Sequence, residues 1–179
     1  MAGRRVAIFF AAALAAMLAR TLSARSLEAD AYIQTNISAA KIVANNNRYH
    51  IDITILATDI EEMFQKSGSA RVGVDMSQPG ALEREIGKFV ANRIEVRNND
   101  GAACAKKIER ASEDPTNDEG VLVVLSFECV SNRATYDATK FLGAQGPRAW
   151  QTITIIDGDA KWKIMVNSES PPVELSSAQ

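Results

Sequence analysis

The sequence predicts a mainly β domain: an antiparallel β-sandwich, Ig-like in general architecture, of about seven or eight strands with one inserted amphipathic helix. Three observations predict it. Segments alternate apolar and polar side chains, most strictly where Tyr49, Ile51, Ile53 and Ile55 interleave with His50, Asp52 and Thr54; that is the period of a strand with one covered face. Turn-forming clusters separate them: Asn45-Asn46-Asn47, Asn98-Asn99-Asp100-Gly101 and Asp157-Gly158-Asp159. Only residues 79–92 carry a sustained helical spacing, through Leu82, Ile86, Phe89 and Val90.

The first segment stands apart. Arg4 and Arg5 precede an uncharged run from Val6 to Ala19, and Leu22-Ser23-Ala24 ends in a small residue. This is the layout of a secretory signal peptide over residues 1–24. The run is short of the roughly 20 apolar residues of a spanning helix, and no Cys follows it to carry a lipid anchor. The chain has 179 residues, with 20 Lys and Arg against 22 Asp and Glu. Removing residues 1–24 takes three Arg and no acid, leaving 17 (20 − 3) bases and a net charge of −5. A mildly acidic exported chain, periplasmic or secreted and soluble after cleavage, is expected, without nucleic-acid partners. Contact with a membrane is then expected only through a partner.

The remaining elements follow in order. Residues 25–30 are a linker and 31–168 one domain. Ala31–Val43 reads as a strand, bulged near Ala39-Ala40, that the Asn turn joins to a strand over Arg48–Ala57. Thr58-Asp59-Ile60-Glu61 matches a capping box and starts a short helical turn through Phe64. Gln65–Val74 is a loop. The helix over 79–92 keeps Glu83, Arg84, Glu85 and Lys88 on its wet side. Ile94–Arg97 and Ala102–Arg110 form a hairpin about Asp100-Gly101, read as type I′. Ser112–Gly120 is an exposed acidic loop. Val121–Val130 is apolar on both faces and predicts a central strand covered on both sides. An edge strand surrounds Tyr136, Phe141–Pro147 is a Gly-rich connection, and Trp150–Ile156 and Ala160–Val166 make a last hairpin. Residues 169–179 form a flexible tail.

Candidate sites are few. Cys104 and Cys129 predict a disulfide in an oxidising compartment, favoured over two buried thiols and contributing about 3 kcal/mol. His50, the single imidazole, shares a strand face with Asp52; with Asp59 and Glu61 it makes a candidate metal set or acid/base pair. Asp75 and Ser77 fall where a calcium loop places ligands, and Gly80 fits its glycine, but Pro79 and Ile86 stand where two further ligands belong. Trp150, Trp162 and Arg148 form a candidate binding face, against core packing of the two indoles. No G-x-S-x-G or similar nucleophile context occurs, and one His with two Cys cannot make a His/Cys metal cage. No cofactor and no catalysis are expected.

The order of features resembles the extracytoplasmic N-terminal region of HupE/UreJ-family proteins over about residues 30–172. It rests on Ala31-Tyr32-Ile33, on Ile51-Asp52-Ile53 running into Ala57-Thr58-Asp59-Ile60-Glu61, and on Val74-Asp75 before Leu82-Glu83. Ile94-Glu95-Val96, Cys104, Phe127-Glu128-Cys129, Phe141-Leu142 and Arg148 continue the order. The family is associated with hydrogenase and urease accessory functions and proposed nickel transport, the transport belonging to a multi-helix membrane region that residues 1–179 lack. Members often place a His beside the Arg before the last hairpin; here that residue is Pro147. The resemblance implies a periplasmic binding or assembly module with a partner in the cell envelope. Two other readings stay open: a metal-binding accessory protein for nickel or another divalent ion, and a hydrolase with a carboxylate site.

Overall fold

The computed structural model describes residues 37–66 and 80–176. The leader at 1–24, the linker at 25–30, residues 31–36 and the Asp75–Ser77 loop lie outside the described residues. Nine strands and three helices are described, and the domain is mainly β. A six-stranded sheet has the order β4-β5-β2-β1-β7-β8, and a three-stranded sheet the order β3-β6-β9. Its strands are β1 (Ile37–Asn45), β2 (Arg48–Leu56), β4 (Ala105–Asp114), β5 (Asn117–Glu128), β7 (Trp150–Asp157) and β8 (Ala160–Asn167). The small sheet holds β3 (Glu95–Asn98), β6 (Ala134–Asp137) and β9 (Val173–Glu174). All pairings are antiparallel except β1 with β7.

Alternation decides which face of the large sheet is covered. Ile42 of β1, Tyr49, Ile51, Ile53 and Ile55 of β2, Val123, Leu125 and Phe127 of β5, and Ile153 and Ile155 of β7 all join one buried cluster. The helices α1 (Ala57–Lys66), α2 (Ala81–Ala91) and α3 (Thr139–Gln145) close this side. They contribute Ile60 and Met63, then Ile86, Phe89 and Val90, then Phe141 and Leu142. The small sheet adds Val96 and Tyr136. The outer face carries His50, Lys41, Trp150, Lys163 and Met165.

Several elements differ from their sequence reading, each for a local reason. One helix was expected and three occur. α1 runs a full ten residues because Ile60 and Met63 repeat on one buried side, and Phe64 meets Phe89 of α2 at 4.8 Å between ring centroids. α3 forms despite Gly143 because Asp137 Oδ1 accepts hydrogen bonds from Thr139 N (2.8 Å) and Oγ1 (2.7 Å) at its start. Gly146, at φ 135°, ends it where a side chain would be strained.

The acidic loop expected at Ser112–Gly120 is instead the two arms of a hairpin, with Pro115-Thr116 between β4 and β5. Asp114 Oδ1 accepts from Thr116 N (2.8 Å) and Oγ1 (2.7 Å), which tightens the turn. The Asp100-Gly101 turn is not type I′, which needs two positive φ values; only Gly101, at 84°, supplies one. Beyond it the hairpin opens at once. A single bridge joins Arg97 to Ala103, and then β3 pairs with β6 while β4 pairs with β5.

β1 and β2 pair without a break from Ala39–Thr54 to Asn45–Arg48, so no bulge sits at Ala39-Ala40. Register shifts occur in β4 instead, at Glu109 and at Asp114. β5 is second from the edge rather than central. Its outward Leu122 and Val124 are buried among cross-strand neighbours such as Thr54, Asp52, Ser112 and Arg110. The strand at Tyr136 is the middle of its sheet, not an edge. The tail belongs to the fold as far as Leu175, which is fully buried and donates its N–H to Ala134 O at 2.9 Å.

Candidate functional site

Where the two sheets part, Cys104 and Cys129 form the disulfide, with Cα atoms 4.5 Å apart. The bridge ties the start of β4 to the end of β5. Around it the backbone is held by amides: Asn98 Oδ1 accepts from Val130 N (3.0 Å) and Ser131 N (3.3 Å), and Asn47 Nδ2 donates to Cys129 O (2.8 Å). Tyr49 Oη donates to Asn132 O at 3.0 Å. These contacts fix the 129–133 corner and give it a structural role.

The outer face of the large sheet holds the His50 cluster. His50 Nε2 lies 3.2 Å from Asp52 Oδ1, as their i, i+2 spacing on β2 requires. Register places Ser126 of β5 directly opposite His50. Ser126 Oγ, however, donates to Glu109 Oε1 at 2.7 Å, and Lys107 Nζ donates to Glu109 Oε2 at 2.8 Å. These two hydrogen bonds, Lys107 first, hold the Glu109 carboxyl below its ordinary range, and the charges of Lys107 and His50 add to them. Ser, His and Asp thus meet on one face, but the serine proton is directed to Glu109 and not to His50. The proton acceptor of Ser126 is therefore a carboxylate held below its ordinary range, a weaker base than an imidazole.

The candidate metal set does not assemble. Asp59 and Glu61 lie on α1, past the C-terminal end of β2, whereas His50 is near its start. At about 3.3 Å per residue, roughly 20 Å of strand separates His50 from the helix. Asp59 is buried in the first turn of α1 and Glu61 is exposed. Among the described residues no group of three or more His, Cys, Asp and Glu side chains is placed to hold a metal ion.

Trp150 and Trp162 do not share a face. Trp162 stands opposite Ile155 and packs against the core, while Trp150 stands opposite Asn167 and points outward. The candidate binding face of Trp150, Trp162 and Arg148 does not include both indoles, because twelve residues and one turn put them at opposite ends and opposite sides of the β7–β8 hairpin. Trp150 has other neighbours. Ile37 is its parallel partner on β1, and Met165 is one step along on β8, opposite Thr152. Ile37, Trp150 and Met165 are 46%, 40% and 61% exposed. Exposed Arg148 lies two residues before Trp150. The apolar patch therefore has one of the two tryptophans plus two residues that sequence reasoning missed. Ile37 and Met165 read as ordinary strand residues; the parallel β1–β7 register brings Ile37 to Trp150, and the antiparallel β7–β8 register brings Met165.

A second surface feature lies at the other end of the sheet. A groove of about 830 Å³ runs between α2 and the edge strand β4, lined by Gly80, Glu83, Arg84, Lys88 and residues 108–113. Its lining mixes the acids Glu83, Glu109 and Glu113 with the bases Arg84, Lys88 and Arg110. Gly87 makes the close approach possible: a Cβ there would stand 3.3 Å from both Ala111 Cβ and Ile108 Cγ2.

Comparison with protein-family models and with curated proteins gives no match. Among the described residues, no helix is long and apolar enough to cross a membrane.

Proposed function

We propose that this chain is an exported, non-catalytic binding module of the cell envelope, and that it engages a protein partner through the outer face of its six-stranded sheet. The exposed patch of Ile37, Trp150 and Met165 carries the proposal. Trp, Met and Arg are residue types enriched at protein interfaces relative to the rest of the surface. The disulfide supports an oxidising compartment. The resemblance to HupE/UreJ ectodomains supports a membrane protein as the partner. Ser126 donates to Glu109 rather than to His50, so no Ser-His pair supports a catalytic reading.

A photo-crosslinking residue at position 163, beside the patch, tests the proposal in intact envelopes. One discrete adduct is expected, and it is expected to vanish in Trp150→Ala/Met165→Ala while persisting in Leu82→Ala, a change on α2. No adduct, or an adduct indifferent to the Trp150 and Met165 changes, would overturn it.

A further inference from the structure

β4 is an edge of the six-stranded sheet, and every residue from Ala105 to Arg110 is exposed. One side of its backbone pairs with β5; the other has no strand beside it in the sheet among the described residues. Such an edge is a template for another strand unless its side chains forbid one. The side chains here are ordered by charge. Lys106 and Lys107 occupy the first half, Glu109 and Arg110 the middle, Glu113 and Asp114 the end. Two copies of one edge can join a continuous sheet only antiparallel, about a twofold axis normal to it. First half then meets second half, base against acid.

We propose that two copies of this chain pair through β4, joining their six-stranded sheets. The register follows from the bulge. Ile108 stands opposite Leu125, on the buried side, and Arg110 opposite Val124, on the outer side, with Glu109 inserted between them. Glu109 also points outward, since it binds Ser126 and Lys107 there. Setting Glu109 against Arg110 of the second copy brings Lys106 opposite Glu113, Lys107 opposite Ser112 and Ile108 opposite Ala111. Every pair then shares a face. In a strand of strict alternation the same register would oppose residues of opposite faces, so the extra residue is what permits it.

The side chains of Arg110 and Glu113 have no ion-pair or hydrogen-bond partner among the described residues, while Lys106 already donates to Ala91 O. The groove between α2 and β4 leaves the edge open on the helix side, and pairing would cover Ile108, which is exposed there. Lysines and a bulge repel an arbitrary strand. They accept one whose charges run in the reverse order, which is what a second copy presents.

The purified full-length protein with its disulfide intact tests this by sedimentation and by hydrogen exchange at about 1 and 100 µM, a range that spans weak to moderate association. Twice the chain mass is expected at the higher concentration, with amide protection in residues 105–114 rising with it. Arg110→Glu sets acid against acid at Glu109 of the other copy, twice by symmetry, and Glu113→Lys does the same with base at Lys106. Each is expected to weaken association about tenfold or more. The exchange Glu109→Lys/Arg110→Glu is expected to restore it. A monomer mass at 100 µM overturns the proposal, as does a dimer whose mass and β4 protection ignore both charge reversals. If a variant fails to fold, the concentration dependence of wild-type β4 exchange decides alone. The outcome is independent of the Trp150 patch, which lies at the opposite edge of the sheet.

Discussion

Removing the disulfide should weaken the fold by an amount that follows from chain entropy. Cys104 and Cys129 are 25 residues apart. A crosslink closing a loop of that length removes about 12 cal/mol/K from the unfolded chain, or about 3.5 kcal/mol at 25 °C. Against a typical total of about 5–15 kcal/mol this is a large share. The measurement is urea unfolding of the wild type and of Cys104→Ala/Cys129→Ala. The double variant should lose about 3.5 kcal/mol, mostly as a lower midpoint. Its m-value should rise, because an uncrosslinked unfolded chain exposes more surface. Reduced wild type should behave like the variant. A loss below about 1 kcal/mol with an unchanged m-value would refute the entropic reasoning. It would mean that the amide contacts of Asn47 and Asn98 hold the corner without the bridge.

Three further changes probe the interior and the small sheet. Tyr136 is fully buried, its hydroxyl pKa is raised by that burial, and it donates to Gln151 Oε1 at 2.8 Å. Gln151 Nε2 has no partner among the described residues, so Tyr136→Phe leaves the whole amide unsatisfied there and should cost about 1–3 kcal/mol by thermal unfolding. Glu95 accepts from Lys140 and Arg97, and those hydrogen bonds, Lys140 first, lower its pKa. A lowered folded-state pKa gives stability that is present above the unfolded value and is lost as pH falls through the folded one. Glu95→Gln should therefore cost about 1 kcal/mol at pH 7, and the two proteins should converge in acid; a difference that persists there would refute the linkage. Gly120→Ala places a Cβ 3.0 Å from Asp114 Cβ and 3.1 Å from Asn117 O, and should cost about 1–2 kcal/mol in the same urea assay.

The sequence contains a serine, a histidine and an aspartate that cross-strand register places side by side. Nothing local to Ser126 discloses this, since it is separated from His50 by the whole α1–β4 stretch. Glu109 reaches Ser126 only because a bulge turns it outward, and a bulge has no reliable signature in one sequence.

The mainly β class, the covered face of β2, the α2 helix and the cysteine pair were legible in the residue order alone. Each depends on short-range physics: side-chain alternation at period 2, helical spacing, and two thiols with no other partner type in the chain. Tertiary structure decided the rest. It split the Asp100-Gly101 hairpin between two sheets and made β6 a central strand. It drew Val173–Leu175 into the fold and made β1 parallel to β7. It separated Asp59 and Glu61 from His50, put the two tryptophans on opposite faces, and gathered Ile37 and Met165 around Trp150. For the split hairpin, the place of β6, the Val173–Leu175 strand and the β1–β7 pair, the deciding quantity is a pairing between strands far apart in the chain. Local propensity does not encode such register; the joint burial of many side chains selects it.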